Sequence, residues 1–174
     1  MLLKPDIKLK RVTDITPQIL KSFEIKALLL DVDNTLSTHH SMVLTDGLNE
    51  WIESMKKSGI KLSLLSNSKE KRVKPFAEKI GLDHISLALK PLCFGFLRGV
   101  KFLNVKKSEV AIVGDQIFTD ILGGNACGIK TILLTPIKPE SSMRFKFKRK
   151  LEKLVFKLYK IKDYNEKEQE KDVG

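Results

Sequence analysis

Short apolar runs alternate with amphipathic stretches through the middle of the chain. Runs rich in Leu, Ile and Val, with little polar alternation, predict strands that are covered on both faces. There are five such runs, at residues 25–30, 60–65, 85–89, 110–113 and 131–134. Apolar residues at helical spacing predict helices between them, over residues 48–55, 69–80, 94–103 and 119–126. The alternation indicates an α/β fold with one five-stranded parallel sheet and right-handed crossovers.

Polar residues follow four of the five predicted strands directly. In an open parallel sheet, ligands bind where the carboxyl ends of the strands meet, so these residues are expected to share one rim. They are Asp31, Asp33, Asn34 and Thr35 after the first strand, Ser66 and Asn67 after the second, Lys90 after the third, and Asp115, Gln116 and Asp120 after the fourth. The pattern therefore predicts a cluster of four acids, one lysine and small polar groups.

The clustered carboxylates predict a metal ion. Two unit charges about 4 Å apart, at an effective dielectric near 20, repel by roughly 4 kcal/mol. Asp31, Asp33 and Asp115 therefore need a positive partner. Oxygen ligands with no Cys or His beside them favour Mg²⁺. Lys90 adds a second positive charge to the same rim.

This rim is equipped for the attack of a carboxylate on a phosphate monoester. Bringing a carboxylate to a phosphate dianion at about 4 Å costs roughly 8 kcal/mol at the same dielectric, and Mg²⁺ and Lys90 would offset that cost. Asp31 is predicted to be the nucleophile that forms an aspartyl-phosphate, and Asp33 the general acid and base. Ser66, Asn67 and Lys90 are predicted to bind the phosphoryl oxygens.

The same residues resemble the four motifs of the haloacid dehalogenase-like (HAD) superfamily. The stretch 31–36, DVDNTL, is similar to the first motif, Ser66 to the second, Lys90 to the third, and the stretch 114–120, GDQIFTD, to the fourth. The resemblance implies a Rossmann-like fold with strand order 5-4-1-2-3. The metal ligands that it implies are the Asp31 carboxylate, the Asp33 backbone carbonyl and Asp115, with Asp120 in support.

A closer resemblance is to the YqeG-type branch of HAD subfamily IIIA, over roughly residues 1–155. The similar stretches are LDVDNTL, LSNS, ALKP and GDQIFTDILGGN. Because this branch is related to mitochondrial phosphatases of phosphatidylglycerophosphate, the resemblance implies a phosphatase acting on that lipid. Ser68 stands where the branch usually has Asn. Arg149 and Glu152 fit a branch pattern, Asn-Arg-x-x-Glu-Arg, although lysines replace its Asn and its second Arg.

Length and motif spacing predict one domain without a cap. The chain has 174 residues, which suits a single domain, and we assign residues 1–140 to it. Only 34 residues separate Asp31 from Ser66, and only 23 separate Ser66 from Lys90. Neither gap can hold a cap domain once a helix and a strand are subtracted. The site is therefore expected to be open, which suits a bulky substrate or a cover supplied by another subunit.

The formal net charge of +11 is concentrated towards the C-terminus. Residues 141–162 hold nine basic residues and one acid, and their apolar residues at 147, 151, 154, 155, 158 and 161 share one helix face. This pattern predicts a basic amphipathic helix that lies on anionic phospholipid at a membrane surface. Packing on the domain or on a second subunit stays open, and nucleic acid is the less favoured partner. Residues 163–174 are predicted to be disordered.

The remaining features predict a cytoplasmic protein, peripheral on the inner face of the membrane where the basic helix binds lipid. No apolar run approaches the 18 or so residues that span a bilayer, and the first residues lack the apolar stretch of a signal peptide. Cys93 and Cys127 are expected to be reduced core residues. Arg72 is expected on a solvated helix face, with contact to a phosphate or a headgroup as the alternative. His39 and His40 are expected in an exposed loop after the first motif.

Other interpretations of the function stay open at this point. A polynucleotide or sugar phosphate phosphatase would use the same chemistry. A phospho-acceptor receiver module also clusters acids, Ser or Thr and Lys, although Ser66 stands where its acceptor aspartate would end a central strand. A non-catalytic RNA-binding module is disfavoured by the intact pair of Asp31 and Asp33. The oligomeric state is not assigned.

Overall fold

A computed structural model describes residues 1–38, 42–138 and 143–164, and it contains one parallel sheet. The strands are β1 (Ile7–Leu9), β2 (Ala27–Leu30), β3 (Lys61–Leu65), β4 (Asp83–Ile85), β5 (Val110–Gly114) and β6 (Lys130–Leu134). Their order across the sheet is β1-β6-β5-β2-β3-β4. Leu30 of β2 pairs with Val113 of β5 and with Leu64 of β3. The residue after Leu30, Asp31, therefore leaves the sheet between two neighbouring strands.

The α/β class and the order of the five predicted strands are confirmed, but the count of five is wrong. The sixth strand is β1, which forms the sheet edge beside β6. Three residues carry too short a pattern to distinguish a strand from a loop. The position of β1 depends on distant contacts instead, since the Asp6 carboxylate accepts the Thr131 backbone N–H at 2.8 Å.

The third predicted strand, at residues 85–89, is wrong in position, because β4 ends at Ile85. Leu87 and Leu89 have φ angles of 47° and 56°. This is left-handed backbone, which cannot continue a strand. The apolar residues after Ile85 therefore belong to the loop that carries Lys90.

Helices cover both faces of the sheet. They are α1 (Pro17–Ser22), α2 (Leu48–Lys57), α3 (Glu70–Ile80), α4 (Cys93–Leu103), α5 (Leu122–Cys127) and α6 (Met143–Tyr159). On β2, Leu28 and Leu30 pack with residues of α2 and α3, while Ala27 and Leu29 pack with α4. This two-residue alternation explains why the strand is apolar at every position. Among the described residues, the connections that follow β2 and β3 contain only α2 and α3, with no cap domain.

A disulfide joins Cys93 and Cys127, so the expectation of two reduced core cysteines is wrong. The two residues are 34 positions apart in sequence. The packing of α4 against α5 brings their Cα atoms to 5.3 Å, within the usual range for a disulfide. Sequence spacing alone contains no sign of this pairing.

The C-terminal helix α6 packs on the domain. Val155 is buried against Ile117, Ile121 and Leu133. The chain after the helix stays in contact with the domain, because Asp163 pairs with Lys8 at 3.1 Å and the Tyr164 ring lies 6.0 Å from that of Phe23.

The prediction of disorder from residue 163 is therefore wrong for Asp163 and Tyr164, and its remainder, 165–174, lies outside the described residues. None of the described helices is long and apolar enough to cross a membrane.

Candidate active site

The carboxyl ends of the central strands bring the predicted nucleophile and the predicted lysine into contact. The Asp31 backbone N–H donates to the Val113 carbonyl at 2.9 Å, which fixes the start of the loop. Lys90 Nζ donates to Asp31 Oδ1 at 2.5 Å, to Asp120 Oδ1 at 2.7 Å and to the Leu65 carbonyl at 3.0 Å. The ammonium therefore joins the end of β3 to the segments that follow β2 and β5.

Burial and the neighbouring charges shift the pKa values of this pair. It raises the pKa of Asp31 to about 6, although the nearby Lys90 ammonium acts in the opposite direction. Burial lowers the pKa of Lys90, but Asp120 and Asp31 outweigh burial, so this pKa lies above its ordinary value. Lys90 is therefore a permanent cation at neutral pH, beside a carboxylate that protonates more readily than an exposed one.

Asn67 and Ser66 lie beside the loop that carries Lys90. Asn67 Nδ2 donates to the Lys90 carbonyl at 3.0 Å, and Asn67 Oδ1 accepts the Lys90 N–H at 2.7 Å. The Asn67 side chain thus positions Lys90. The predicted contact of Asn67 with phosphate would then use the backbone N–H of Asn67. Ser66 is buried, and its Oγ accepts the Ser68 N–H at 3.1 Å.

Three carboxylates form a candidate cation site. Asp31, Asp115 and Asp120 each place an oxygen within 4.8 Å of the other two. Asp115 Oδ1 is buried and has no hydrogen-bond partner among the described residues. Burial, and next the charge of Asp31, raise the pKa of Asp115 well above its ordinary value. A buried carboxylate oxygen without a donor is costly, so these all-oxygen donors fit a divalent cation.

Asp120 reaches this site through local backbone geometry. It lies on a π-helical turn, Ile117–Ile121, and its Oδ2 accepts the Gln116 N–H at 3.2 Å. A Cβ at position 114 would collide with the Asp120 carboxylate. Glycine before Asp115 is therefore required for the two acids to lie together. The Asp33 carboxylate is not among the three, and the share of its backbone carbonyl in metal binding stays a prediction.

Asp33 is paired with Arg72, a contact that the sequence pattern does not predict. Arg72 Nη1 donates to Asp33 Oδ2 and to Ser68 Oγ, both at 2.8 Å, and Nη2 donates to Asp33 Oδ1. The expectation that Arg72 lies on a solvated helix face is therefore wrong. A guanidinium that binds both oxygens fixes the orientation of a carboxylate. His39 and His40, which follow this loop, lie outside the described residues.

A second arginine, Arg149 of α6, holds Asp115. Arg149 Nη1 donates to the Asp115 carbonyl at 2.8 Å and to Glu152 Oε2 at 2.7 Å, and Nη2 donates to Asp115 Oδ2. The buried Glu152 also accepts the Ile117 N–H at 3.0 Å. The sequence signal for this contact is the Arg-x-x-Glu spacing, which puts both side chains on one helix face.

One family of known proteins matches most of the chain. A family model described as mitochondrial PGP phosphatase matches residues 1–138. The chain belongs to this family. The match includes every strand-end residue of the site, from Asp31 to Asp120, whereas Arg149 and Glu152 lie beyond it.

Two relatives of this PGP phosphatase family member are similar to it over most of their own length. Probable phosphatase YqeG of Bacillus subtilis is 38% identical over 160 residues, which are 92% of this chain and 93% of the relative. The mitochondrial phosphatidylglycerophosphatase GEP4 of Saccharomyces cerevisiae is 31% identical over 166 residues, 86% of this chain and 88% of the relative. The predicted resemblance to YqeG-type HAD phosphatases is therefore confirmed.

A solved structure shows the same fold. The cobalt-bound deoxy-D-mannose-octulosonate 8-phosphate phosphatase of Haemophilus influenzae has a TM-score of 0.53 at 16% identity, covering 79% of this chain and 90% of its own. The family match and the sequence relatives show that the chain is a phosphatase of the HAD type, a phosphoric monoester hydrolase. The interpretations as a receiver module or an RNA-binding module are set aside.

Proposed function

We propose that this phosphatase hydrolyses phosphatidylglycerophosphate through an aspartyl-phosphate on Asp31, with Mg²⁺ as its cofactor. The observation that carries the mechanism is the contact of Asp31 with Lys90, beside the buried Asp115 oxygen that has no partner among the described residues. A nucleophile, a fixed positive charge and a cation ligand therefore share one rim.

The two steps use Asp31 and Asp33 in turn. In the first, an Asp31 oxygen bonds to phosphorus, the bond from phosphorus to the leaving oxygen breaks, and Asp33 donates a proton to that oxygen. In the second, Asp33 takes a proton from water, the water oxygen bonds to phosphorus, and the bond to Asp31 breaks. Inorganic phosphate leaves, and both aspartates return to their starting forms. Lys90 neutralises charge on the phosphoryl oxygens throughout.

Asp31 and Asp115 would hold Mg²⁺ together with the Asp33 backbone carbonyl, and Asp120 would support them. When bound, the ion supplies positive charge that lets an anionic carboxylate approach an anionic phosphate. The choice of Mg²⁺ rests on the donor set, since the group contains oxygen ligands only.

The lipid substrate is supported by the relatives and by the open site. The family description and the yeast relative both name PGP or phosphatidylglycerophosphate. The described connections after β2 and β3 contain no cap, so a phosphate on a large headgroup has access. A polynucleotide or sugar phosphate phosphatase of the same chemistry is the alternative.

A phosphate-release panel tests the substrate and the metal. It compares phosphatidylglycerophosphate, a 5′-phosphorylated oligonucleotide and a sugar phosphate, each with Mg²⁺ and with a chelator. We expect the highest kcat/KM for the lipid and loss of release when Mg²⁺ is chelated. A higher kcat/KM for either other substrate contradicts the lipid assignment, and release that persists with the chelator contradicts the metal.

Two matched aspartate variants test the mechanism. Asp31→Asn removes the nucleophile at nearly constant size, so turnover should fall by at least about 1,000-fold on every substrate. Asp33→Asn keeps the nucleophile but not the base, so phosphorylated protein should accumulate in quenched reactions. Wild-type turnover by Asp31→Asn, or acid-stable phosphate on another residue, would remove Asp31 from the mechanism.

We also propose that α6 lies on an anionic membrane surface, which would place the protein at the inner face of a membrane. The helix packs on the domain through Arg149, Glu152 and Val155, while its Leu151, Leu154 and Leu158 side chains remain exposed at 39%, 53% and 68%. Lys150, Lys153 and Lys157 are also exposed. Apolar residues flanked by lysines suit the boundary between lipid headgroups and acyl chains.

Vesicle flotation tests this partner. Leu154→Glu with Leu158→Glu should reduce binding to vesicles that contain phosphatidylglycerol, and neutral vesicles should bind the wild type less. Leu97→Glu, at another exposed leucine, is the matched control. Equal losses in the control and the double variant would contradict a specific role of α6. Removal of α6 is a poorer test, because it also removes Arg149 from Asp115.

A further inference from the structure

We propose that a cavity beside Asp33 binds the leaving group of the substrate, and that it recognises a second phosphate carried by that leaving group. This inference rests on the proposed function, because it takes Asp33 as the general acid. A general acid contacts the oxygen that leaves. The alcohol part of the substrate must therefore extend from the phosphorus past Asp33, into whatever space adjoins that carboxylate.

The cavity has a volume of about 430 Å³, which is within the range of small-molecule sites. Asp33 and Ser66 line it together with Ser68, Lys71 and Arg72. It therefore adjoins both the acid and the serine predicted to bind phosphate. A larger cavity of about 530 Å³ borders Thr35 and Thr38, but its described lining includes neither Asp33 nor Ser66.

The charges that line the cavity favour an anion. The lining contains two cations, Lys71 and Arg72, and one carboxylate, Asp33, which is already paired with Arg72. Lys71 is therefore the positive charge in excess. A guanidinium has five N–H donors, and the contacts to Asp33 and Ser68 use three of those of Arg72. Its remaining donors can bind a ligand anion while the pair with Asp33 is kept.

The rest of the lining suits a carbon chain between two phosphates. Met42, Pro75 and Phe76 supply apolar surface to the same cavity. A neutral alcohol would form no ion pair with Lys71 or Arg72. An alcohol that carries a phosphodiester or a second phosphate would pair with both, and the headgroup of phosphatidylglycerophosphate, a 5′-phosphorylated dinucleotide and a sugar bisphosphate share that chemistry.

Steady-state kinetics of Lys71→Ala test the subsite. The substrates are p-nitrophenyl phosphate, which has no second anion, and three that have one: deacylated phosphatidylglycerophosphate, a 5′-phosphorylated dinucleotide and a sugar bisphosphate. For each, kcat/KM is divided by the value for p-nitrophenyl phosphate. We expect this ratio to fall about tenfold in Lys71→Ala for the substrate that the subsite recognises, the usual effect of losing a charged hydrogen bond.

Lys74→Ala is the control, since Lys74 lies on the same helix, is exposed and pairs with Glu78 at 4.0 Å. Its ratios should equal those of the wild type. A second readout is inhibition by glycerophosphoglycerol, the product alcohol, which should inhibit wild type about tenfold more strongly than Lys71→Ala. The substrate whose ratio falls most identifies the source of the second phosphate.

Unchanged ratios and unchanged inhibition in Lys71→Ala would overturn the subsite while leaving the proposed function intact. Failure of the wild type to hydrolyse any of the four substrates would instead overturn the proposed function, and the subsite with it. Equal falls in Lys71→Ala and Lys74→Ala would show general electrostatic attraction by α3, which also overturns a specific subsite.

Discussion

The two arginines of the site hold their aspartates in different surroundings. The side chains of Arg72 and Asp33 are 30% and 16% exposed, whereas those of Arg149 and Asp115 are 24% and 0% exposed. Arg72 comes from α3, inside the segment that the family model matches, and Arg149 comes from α6, beyond it.

The difference in exposure suggests a different role for each arginine. In the proposed mechanism Asp33 works where substrate and water enter, so its partner would orient the carboxylate while leaving it partly exposed. Asp115 is closed off from solvent, so Arg149 has to balance a charge that water cannot reach, together with the buried Glu152. We therefore expect Arg72 to affect turnover more than stability, and Arg149 to affect stability and metal binding.

Arg149→Ala breaks the buried pair and has the largest expected effect. Asp115 and Glu152 stay buried without their cation, and removal of one partner from such a pair costs about 3 kcal/mol. The free energy of unfolding from denaturant titration should fall by that amount, and Mg²⁺ should restore part of it by binding the folded state. Lys150→Ala, at the exposed neighbouring residue, is the control. A change within about 0.5 kcal/mol of the wild type would contradict the role of Arg149.

Arg72→Ala breaks the more exposed pair. We expect kcat to fall about tenfold on all substrates, because Asp33, the proposed general acid, loses its fixed orientation. The free energy of unfolding should fall by less than it does for Arg149→Ala, because this pair is only partly buried and water still screens it. Arg72→Lys keeps the charge but not the bidentate contact, so it should recover only part of kcat. A large loss of stability with normal kcat would reverse the comparison.

The pH dependence of Mg²⁺ binding is the smallest of the expected effects. The pKa of Asp31 is raised to about 6, so protons compete with the metal as the pH falls through that value. Asp31 alone should weaken Mg²⁺ binding about fourfold between pH 7.5 and pH 5.5. Isothermal titration calorimetry of the protein with Mg²⁺ at each pH measures the affinity. A Mg²⁺ affinity that stays constant or rises at low pH would contradict the predicted competition.

Without metal, the same shift has the opposite consequence for stability. The folded state binds the Asp31 proton more tightly than the unfolded chain, whose carboxyl has a pKa near 3.8. The contribution of Asp31 to the free energy of unfolding therefore decreases as the pH rises from about 4 to about 6. Thermal melts of metal-free Asp31→Asn, compared with the wild type over this range, isolate that contribution.

Much of the site could be predicted because its residues follow strands. Asp31, Ser66 and Asp115 each come directly after a strand, and parallel strands bring such positions to one edge. Lys90 is carried to the same edge by the loop that follows β4. The structure does bring Asp31, Lys90, Asp115 and Asp120 together. The Asn67 side chain contacts the Lys90 backbone, a detail that depends on the path of two loops and has no local signature.

By itself, the sequence determined the α/β class, the order of motifs along the chain and the chemical groups at the sheet edge. These depend on the periodicity of side chains over a few residues, which is a local property of the backbone. Only the tertiary structure decided that Arg72 pairs with Asp33, that α6 turns Arg149 towards Asp115, and that β1 adds an edge strand to the sheet. Each of these contacts joins residues far apart in the chain, where charge and packing depend on how separate elements meet.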